Sequence, residues 1–531
     1  MTDGDREATA TTAPHAGSPR AGPRDEVYDV VVVGAGLGGI SAAAVLAKAG
    51  RKVLVVERQD GAGGYARAFR RGPYLFDPAI HVLAEAGDGR FVDLLLRHLG
   101  VRGEVDLVQV PGLWRVDLPG WSFHAPVGTD DHVAALVARF PHEAAGIRAF
   151  FGLTARFFAE ATHLSMRLSL RGLDTAVERF PTFFAHRTAT VGAVLDSCCS
   201  DPRAKAVIGA SWPYLGLPPS RLSFLSFALM LSTVVAGGLR YCRGSFQRLA
   251  DAFVTALERD GGEVLPGTAV RRILVQDGAV RGVRLAGGRE VRAPVVVSNA
   301  DATRTLGELV GEEHLPPALI RRVRRMQPST SAVVVYGATA LDLAALRPAH
   351  EAFLYRHWDH DTTYADILAG RPGGMWANVP TLVDPSLAPE GQHLVILTSL
   401  APRTTGRPWR QEKERYAGRM LGDFDQVYPG VREHLEVLET ATPDTLEAYS
   451  GNRGAATYGW ALTPGQTGSR RTTHHPPIGG LYLSGHWTDE GPGSFRVLLS
   501  GVATARMVLE DAGLGDALPE LRPSELPDLI R

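Results

Sequence analysis

The sequence contains little cysteine, no excess of charge of either sign and no long apolar run. Its 531 residues include three cysteines and no C-x-x-C pair, which is too few for a disulfide framework and favours a reduced, intracellular setting. The 56 basic and 57 acidic residues nearly cancel, so the basic footprint of a nucleic-acid-binding protein is missing. No apolar run reaches the roughly 18 residues of a membrane-spanning helix. These absences predict a cytoplasmic protein with no nucleic-acid partner and no membrane span.

The N-terminal 26 residues are polar and rich in Ala, Thr, Gly and Pro, without the apolar core of a signal peptide. We predict that residues 1–26 form a disordered tail and that residues 516–531 form a C-terminal tail. The most apolar stretch runs from Leu222 to Gly238, but it is too short and too interrupted by serine to cross a membrane. It can line an apolar pocket, form a buried core helix or dip into one leaflet, which leaves peripheral membrane contact open.

The ordered chain begins with "YDVVVVGAGLGGISAAAVLAKAGRKVLVVER", which has the pattern of a strand, a helix and a second strand. Residues 28–33 are a β-branched run typical of a buried parallel strand, and residues 37–49 are a helix of small residues. Residues 52–57 are the second strand. The stretch is therefore a βαβ unit, the element from which parallel α/β sheets are built.

The turn between the first strand and the helix carries the pattern G-x-G-x-x-G at Gly34, Gly36 and Gly39. These glycines permit a tight turn and close approach to a pyrophosphate, and the helix N-terminus supplies amide donors. Glu57 ends the second strand, 18 residues after Gly39, where a carboxylate accepts the hydroxyls of an adenosine ribose. Together these features predict a dinucleotide-binding domain.

A second glycine turn, at Gly63 and Gly64, follows the ribose-binding acid. A plain NAD domain does not need this turn, whereas the longer pyrophosphate and ribityl chain of a flavin does. Arg67 follows the turn and is either a neutraliser of phosphate charge or a solvent-exposed arginine. Because the sequence has one dinucleotide motif, we predict FAD and no tightly bound NAD(P).

Three segments of the chain resemble one group of flavoproteins. They are the N-terminal stretch from "VVVGAG" to "GGYARAF", the central "GAVRGVRLAGGREVRAPVVVSNAD" and the C-terminal "PIGGLYLSGHWTDEGPGSFRVLLSGVATA". These look like the signatures of the phytoene desaturase, carotenoid isomerase and retinol saturase group of FAD-dependent oxidoreductases. The resemblance implies an α/β fold, in which a Rossmann-like FAD-binding domain of the GR2-type flavoproteins carries an inserted, mixed α+β substrate domain.

The order of these motifs predicts that the FAD-binding domain is discontinuous along the chain. We assign to it residues 27–108, 240–305 and 452–515. The two insertions, residues 109–239 and 306–451, are assigned to the substrate-binding domain. The substrate pocket is expected between the two domains.

In the resembling flavoproteins, the glycine-rich loop after the last strand closes over the cofactor. Here that loop runs from Gly485 to Gly493, and the following helix is expected to begin at Ser494 or Phe495. The amides and dipole of a helix N-terminus favour the negative charge that a reduced flavin carries. The resemblance therefore implies a raised flavin reduction potential.

One position of this loop departs from the wider pattern. Many related oxidases have an acidic residue directly after the loop's first glycine, and here that residue is His486, with Asp489 or Glu490 as candidate substitutes. The departure favours the polyene branch over the amine oxidases. The complete cofactor-binding prediction comprises Gly34, Ala35, Gly36, Gly38, Gly39, Glu57, Arg58, Gly63, Gly64, Arg67, Val270, Gly485, Asp489, Gly493, Ser494 and Phe495.

Histidine pairs occur in two places, and no metal site is predicted from either. The segment "HWDH", His357 to His360, has two histidines three residues apart, but a metal site needs further ligands. We interpret it, together with the pair at 474–475, as exposed loops.

Two catalytic candidates, Asp77 and His81, follow the second glycine turn in "FDPAIHVL". The resembling families have a similar Phe-Asp and often a His here, close to the isoalloxazine ring. His81 is suited to donate or accept a proton beside a hydride step, because its ordinary pKa lies near neutrality. The alternative is a helix-capping aspartate and a hydrogen-bonded histidine.

A flavin carries out hydride chemistry, and the protein supplies positioning and a dry pocket. The aromatic middle region and the stretch from Trp212 to Val235 suit the wall of an apolar pocket or a packed core. From the resemblance we predict an FAD-dependent oxidoreductase acting on carbon–carbon bonds of a polyene or isoprenoid-like substrate, by desaturation, saturation or cis–trans isomerisation, with desaturation slightly favoured.

Two other functions remain open at this stage. One is an amine oxidase-type flavoenzyme. The other is a non-catalytic prenyl-lipid-binding protein of the same fold, and the intact glycine motif and Glu57 argue against it. The oligomeric state and the electron acceptor are also left open.

Overall fold

The computed structural model describes residues 27–167, 173–346 and 349–515. The two predicted tails, residues 1–26 and 516–531, lie outside the described residues. Two large sheets, one parallel and one mixed, organise the described chain, and strands and helices are numbered here in chain order.

A five-stranded parallel sheet forms the centre of the first domain. Its first strand is a run of four valines whose side chains alternate between the two faces. Val30 and Val32 belong to one hydrophobic core and Val31 and Val33 to another, so both faces are covered. Across the sheet the strands are β19 (Leu481–Leu483), β13 (Val295–Ser298), β1 (Val30–Val33), β2 (Val53–Val56) and β9 (Glu263–Leu265).

Three helices cover one face of this sheet. They are α1 (Leu37–Lys48), α10 (Gln247–Arg259) and α17 (Ser494–Asp511). α1 and α17 approach closely because glycine lies at their contact: a Cβ atom on Gly501 would lie 2.0 Å from Ser41 Oγ and 2.4 Å from the Gly38 carbonyl oxygen. The last helix of the described chain is thereby held directly against the first.

The opposite face packs against a small antiparallel sheet and a helical segment. Leu306, Leu309 and Ile320 of the helical segment belong to the same hydrophobic core as Val31. A domain boundary near residue 326 therefore describes this packing better than the predicted boundary at 305. The elements of this layer are β10 (Val270–Gln276), β11 (Ala279–Leu285), β12 (Glu290–Arg292), α11 (Ala302–Arg304), a π-helix (Thr305–Gly311) and α12 (Pro317–Arg325).

A seven-stranded mixed sheet organises the second domain, and its strands come from both predicted insertions. One face packs on α14 (Trp409–Val427), and the other, with Val334 and Trp376, is turned toward the first domain's core. The strand order is β18 (Glu436–Ala441), β14 (Ser331–Thr339), β17 (His393–Ala401), β16 (Gly374–Asn378), β15 (Glu351–Tyr355), β6 (Trp114–Leu118) and β7 (Trp121–Ala125).

A helical layer completes the second domain. Phe224, at the start of its last helix, packs against Phe150 and Phe157, with ring centroids 6.2 and 5.0 Å away. No helix of the described residues is long and apolar enough to cross a membrane. The helices of this layer are α3 (Thr129–Arg139), α4 (Ala144–Arg167), α5 (Leu173–Arg179), α6 (Pro181–His186), α7 (Val191–Cys198), α8 (Pro202–Gly209) and α9 (Phe224–Gly237).

Short elements connect these layers. Two antiparallel ribbons of two strands each are formed by residues 69–71 with 74–76 and by residues 107–109 with 240–242. The remaining elements are β3 (Phe69–Arg71), β4 (Tyr74–Phe76), α2 (Phe91–His98), β5 (Leu107–Gln109), β8 (Arg240–Cys242), α13 (His360–Leu368), α15 (Val431–His434) and α16 (Pro443–Ser450).

Candidate active site

The turn between β1 and α1 is packed so tightly that side chains are excluded from it. Gly34 has a φ of +95°, and a Cβ atom on Gly39 would lie 2.1 Å from the Gly34 carbonyl oxygen. A Cβ on Gly36 would lie 2.7 Å from Asn299 Nδ2. The sequence analysis did not assign Asn299 to the site. Its position, directly after the parallel strand β13 that neighbours β1, is the signal that points to it.

Glu57 follows β2 at the same edge of the sheet. Its Oε2 accepts a hydrogen bond from the Ala35 amide and its Oε1 from the Gln59 amide, both at 2.7 Å. Each carboxylate oxygen has a second lone pair, so Glu57 retains the capacity to accept two ribose hydroxyls.

The second glycine turn lies against the first. Gly63 and Gly64 have φ values of +125° and +56°, and the Gly63 amide donates to the Ala35 carbonyl oxygen at 2.8 Å. A Cβ on Gly64 would lie 2.9 Å from Gly36 Cα. The two turns therefore form one backbone-lined surface in which any larger residue would clash.

The loop after β19 closes over these turns, and α17 begins at Ser494, as predicted. A Cβ on Gly38 would lie 2.9 Å from Gly485 Cα, which places the start of the loop against the first turn. Gly493, with a φ of +123°, precedes the helix, and no side chain caps the helix N-terminus. Its first amides are therefore available to a ligand.

These turns line one end of a cavity of about 460 Å³, which continues to an apolar wall. Leu225, Leu229, Met230 and Val234 of α9 form part of that wall, so the apolar stretch near Leu222 lines a pocket and is largely buried. The predicted site residues lining the cavity are Gly34, Gly36, Gly38, Glu57, Arg58, Gly63, Gly64, His81, Val270, Gly485, Asp489, Gly493, Ser494 and Phe495.

The three other predicted cofactor residues, Ala35, Gly39 and Arg67, do not line the cavity. Ala35 acts through its amide on Glu57, and Gly39 packs beneath the first turn. Arg67 forms an ion pair with Asp60, whose side chain is 81% exposed. The phosphate-binding role of Arg67 stays a prediction, because such an exposed pair is weak.

Asp77, the first catalytic candidate, is buried outside the cavity lining. The Tyr241 hydroxyl donates to its Oδ2 at 2.6 Å and the Phe246 amide to its Oδ1 at 2.9 Å. Burial raises the pKa of Asp77 to about 7. Because both oxygens are occupied by the β8–α10 segment, the geometry supports the capping alternative rather than catalysis.

His81, the second candidate, lines the cavity beside a buried carboxyl group that the sequence analysis did not identify. Its Nδ1 lies 3.2 Å from the Ala79 carbonyl oxygen, and its Nε2 lies 3.5 Å from Glu351 Oε2. Burial, with a smaller contribution from His350, lowers the pKa of His81 to about 3, so the imidazole is neutral.

Arg471 fastens the C-terminal loop although it is fully buried. Its guanidinium donates to the carbonyl oxygens of Thr488 at 2.7 Å and His486 at 2.6 Å. It also donates to the carbonyl oxygens of Tyr458, Trp460 and Gln466 at 3.4, 3.0 and 3.3 Å. One side chain thus connects residues 458–466 to the loop over the glycine turns.

The interpretation of the two histidine pairs as exposed loops is wrong for His360 and His474, whose exposed fractions are 6% and 2%. Both residues are drawn inward by tertiary packing that their neighbours in sequence do not reveal. Burial alone would lower the pKa of His474, but the hydrogen bonds that its ring donates to the carboxylates of Asp489 and Glu490 raise it to about 10. Ligand atoms of these three residues lie within 4.8 Å of one another, and the buried imidazole forms ion pairs with the two half-buried carboxylates.

The site fits a flavin dinucleotide. The two glycine turns leave backbone where a Cβ would clash, Glu57 ends the second strand, and the α17 N-terminus is uncapped. His486 Nε2 is buried in the cavity wall without a hydrogen-bond partner among the described residues, as expected of a group that meets a polar ligand. Fold and site together define a Rossmann-type flavoprotein.

The family is shown by sequence comparison. Residues 37–509 match the family described as flavin containing amine oxidoreductase, and the chain belongs to it. It is therefore an FAD-dependent oxidoreductase, and the predicted fold class, cofactor and enzyme class are confirmed.

Curated relatives align over most of the chain. Prolycopene isomerase 1, chloroplastic, from an Oncidium hybrid cultivar is 28% identical, covering 93% of this chain and 86% of the relative. Phytoene desaturase (neurosporene-forming) from Rhodobacter capsulatus is 28% identical, covering 90% and 93%. Human all-trans-retinol 13,14-reductase is 26% identical, covering 91% and 85%. The suspected group is thus the one to which the chain is similar.

Among solved structures, putrescine oxidase bound to putrescine superposes with a TM-score of 0.63. It is 16% identical and the match covers 92% of this chain and 99% of the other. At this identity the likeness shows a shared fold and nothing about substrate.

Proposed function

We propose that this enzyme uses FAD to desaturate, saturate or isomerise carbon–carbon bonds of an apolar polyene or isoprenoid-like lipid. The observation that carries the proposal is the cavity, which joins the glycine turns to a wall of aliphatic side chains from α9. The printed names of the curated relatives, an isomerase, a desaturase and a reductase, supply the reaction types. Because such a substrate partitions into lipid, the proposal includes peripheral contact with a membrane.

The residues that would hold the cofactor divide by chemistry. The turns at Gly34–Gly39 and Gly63–Gly64 offer backbone to the pyrophosphate, and Glu57 accepts the ribose hydroxyls. The uncapped start of α17, which carries the half-buried cation of Arg496, favours negative charge on the reduced ring. The bound isoalloxazine supplies hydride transfer.

The apolar wall orients the substrate and excludes water. Leu229, Met230 and Val234 offer no hydrogen bond, so binding follows from burial of hydrocarbon, about 25 cal/mol for each Å². His81 is a neutral imidazole at the cavity surface and is the group that holds or moves a proton there.

An amine substrate is a weaker fit. An ammonium group needs a carboxylate or a comparable partner when it is desolvated. The acidic residues in the described lining of the cavity are Glu57, Asp301, Asp489 and Glu490. Glu57 lies at the glycine turns, Asp489 and Glu490 are paired with His474, and the Asp301 carboxylate accepts hydrogen bonds from three backbone amides. The aliphatic end therefore holds no acidic partner for an amine.

The proposal is tested by absorption spectra of the purified protein before and after anaerobic reduction, with candidate polyenes added to each form. Bleaching of the oxidised flavin by a polyene indicates desaturation, and reoxidation of the reduced flavin indicates saturation. Isomerised product with unchanged reduced flavin indicates isomerisation. Reaction with amines and none with polyenes would refute the proposal.

A substitution that places a cation in the apolar wall tests substrate binding without changing the cofactor-binding residues. Met230→Lys should retain the flavin spectrum, whereas its rate of reaction with the polyene should fall by about 100-fold or more. The reason is that a bound hydrocarbon would strip water from the lysine ammonium group. Leu368→Lys, at a side chain that is 47% exposed, is the matched control and should leave both unchanged. Equal activity of the two variants would contradict the assignment of the wall.

A further inference from the structure

Glu351 is a buried carboxyl group in the described chain whose charge no cation balances. It is the first residue of β15, its exposed fraction is 0%, and its ion-pairing contact among the described residues is with His81. The groups facing it are His81, the Tyr214 hydroxyl and the Asn378 amide. Burial raises the pKa of Glu351 well above its ordinary range, and these hydrogen bonds only partly oppose the effect. Because an ionised carboxylate is costly to bury without a cation, the burial and the contacts of Glu351 favour its protonated form.

The position of that proton follows from the hydrogen bonds. Asn378 Nδ2 donates to Glu351 Oε1, so Oε1 is an acceptor and the proton is on Oε2. Oε2 faces His81 Nε2 at 3.5 Å. His81 Nδ1 lies 3.2 Å from the Ala79 carbonyl oxygen, which only accepts, so Nδ1 carries hydrogen and Nε2 has a free lone pair.

Of the two residues, His81 lines the cavity and Glu351 lies behind it. The His81 side chain is 18% exposed and lines the cavity, whereas Glu351 is screened from it by His81, Tyr214 and Trp376. The His81 ring lies 5.5 Å from the Tyr214 ring and 6.2 Å from that of Trp376. These aromatic contacts fix the imidazole between an acid and a space lined largely by hydrocarbon.

We propose that Glu351 is the proton reservoir of this enzyme and that His81 relays its proton to and from the substrate. The inference rests on the proposed function. Saturation of a C=C bond adds one hydride and one proton to neighbouring carbons. FAD held by the glycine turns would, in its reduced form, supply the hydride and the two electrons of this addition.

The relay supplies the proton of this addition. His81 releases the hydrogen on Nδ1 to the second carbon as its Nε2 receives the proton of Glu351 Oε2. Glu351 is left as a carboxylate and His81 with its hydrogen on Nε2. Between turnovers Nε2 returns this proton to Glu351, and solvent in the cavity reprotonates Nδ1. Desaturation runs the same transfers in reverse. Glu351 is a positioning and proton-storing residue, because it acts through His81.

The stored proton is tested directly by infrared difference spectroscopy of the FAD-loaded enzyme. Glu351→Gln should remove the band of a protonated carboxylic acid. Glu143→Gln, the matched control, should leave that band unchanged. Hydrogen bonds from the Ser200 hydroxyl and neighbouring amides lower the pKa of the buried Glu143, so this side chain is ionised. Because Asp77 is also partly protonated near pH 7, the band is taken from the difference between wild type and Glu351→Gln. A difference spectrum without a carboxylic acid band would overturn the proposal.

The relay is tested in single turnovers with a polyene in D₂O. Wild type should incorporate solvent deuterium at one carbon, and Glu351→Gln should slow the reaction by about 100-fold or more and alter its pH profile. Reduction of the flavin by dithionite should be unaffected, because that step does not use the relay. Equal polyene rates in wild type and Glu351→Gln would refute the relay while leaving the proposed function intact. A wild type that reacts with no polyene would refute both.

Discussion

The contact between α1 and α17 makes a prediction in which two chemically identical substitutions have opposite effects. Gly501→Ala places a methyl group 2.0 Å from Ser41 Oγ and 2.4 Å from the Gly38 carbonyl oxygen. Cβ contacts shorter than 3.0 Å are essentially never observed, so the helices must separate by about 1 Å. Overpacking of this kind costs about 1–3 kcal/mol, and the upper end applies because the Gly38 oxygen is backbone and cannot rotate away.

Gly418→Ala is the matched control. Gly418 also lies inside a helix, α14, and nothing lies within 4 Å of a Cβ built there. Replacing a helical glycine by alanine stabilises by about 1 kcal/mol in both cases. We therefore expect Gly418→Ala to be about 1 kcal/mol more stable than wild type, and Gly501→Ala to be about 2 kcal/mol less stable.

The assay is urea unfolding of both variants and wild type with FAD in excess, together with titration of FAD into the apoprotein. Gly501→Ala should also bind FAD more weakly, because α17 and the Gly38 turn both border the cofactor end of the cavity. Unchanged or increased stability of Gly501→Ala would show that the helix contact is looser than the structure describes.

Two further predictions concern the buried charges near the C-terminal loop. Arg471→Met should destabilise the protein by about 3–5 kcal/mol, because five carbonyl oxygens lose a charged donor. Arg471→Lys should be destabilised as well, because an ammonium group cannot reproduce the planar set of guanidinium donors. Denaturant unfolding measures the stability of both variants. The folded-state pKa of His474 is raised from 6.5 to about 10, so its stabilisation is complete below pH 6.5 and is lost as pH rises toward 10. Unfolding free energy should fall across that window by up to about 1.4 kcal/mol per pH unit, and His474→Gln should flatten the profile. If the unfolding free energy of His474→Gln fell with pH as steeply as that of wild type, the pH dependence would belong to other groups.

Much of the cofactor end of the site was predictable because local chain chemistry specifies it. The valine run, the glycine spacing and Glu57 lie within one βαβ unit, and each is needed for its own turn or strand. The start of α17 at Ser494 followed in the same way from the glycines before it. These features depend on neighbours only a few residues away.

The contacts of the predicted polar residues outside the glycine turns could not be predicted to the same degree. Asp77 and Arg67 have the residue types of functional groups. The Asp77 carboxylate, however, accepts hydrogen bonds from Tyr241 and Phe246, and Arg67 forms an ion pair with Asp60. Their partners are chosen by packing, so residue type alone does not indicate whether a side chain is free. For the same reason the burial of His474 was missed.

The sequence by itself determined that this chain binds a flavin dinucleotide on a Rossmann-like domain, because glycine spacing, strand pattern and the acid at Glu57 are local requirements. Only the tertiary structure decided which side chains line the cavity and which are buried behind it. Glu351 and His81 lie far apart in the sequence, and they meet because β15 of the mixed sheet packs beside the loop after β4. Burial at that contact sets the protonation of both groups, and burial is a property of the assembled fold.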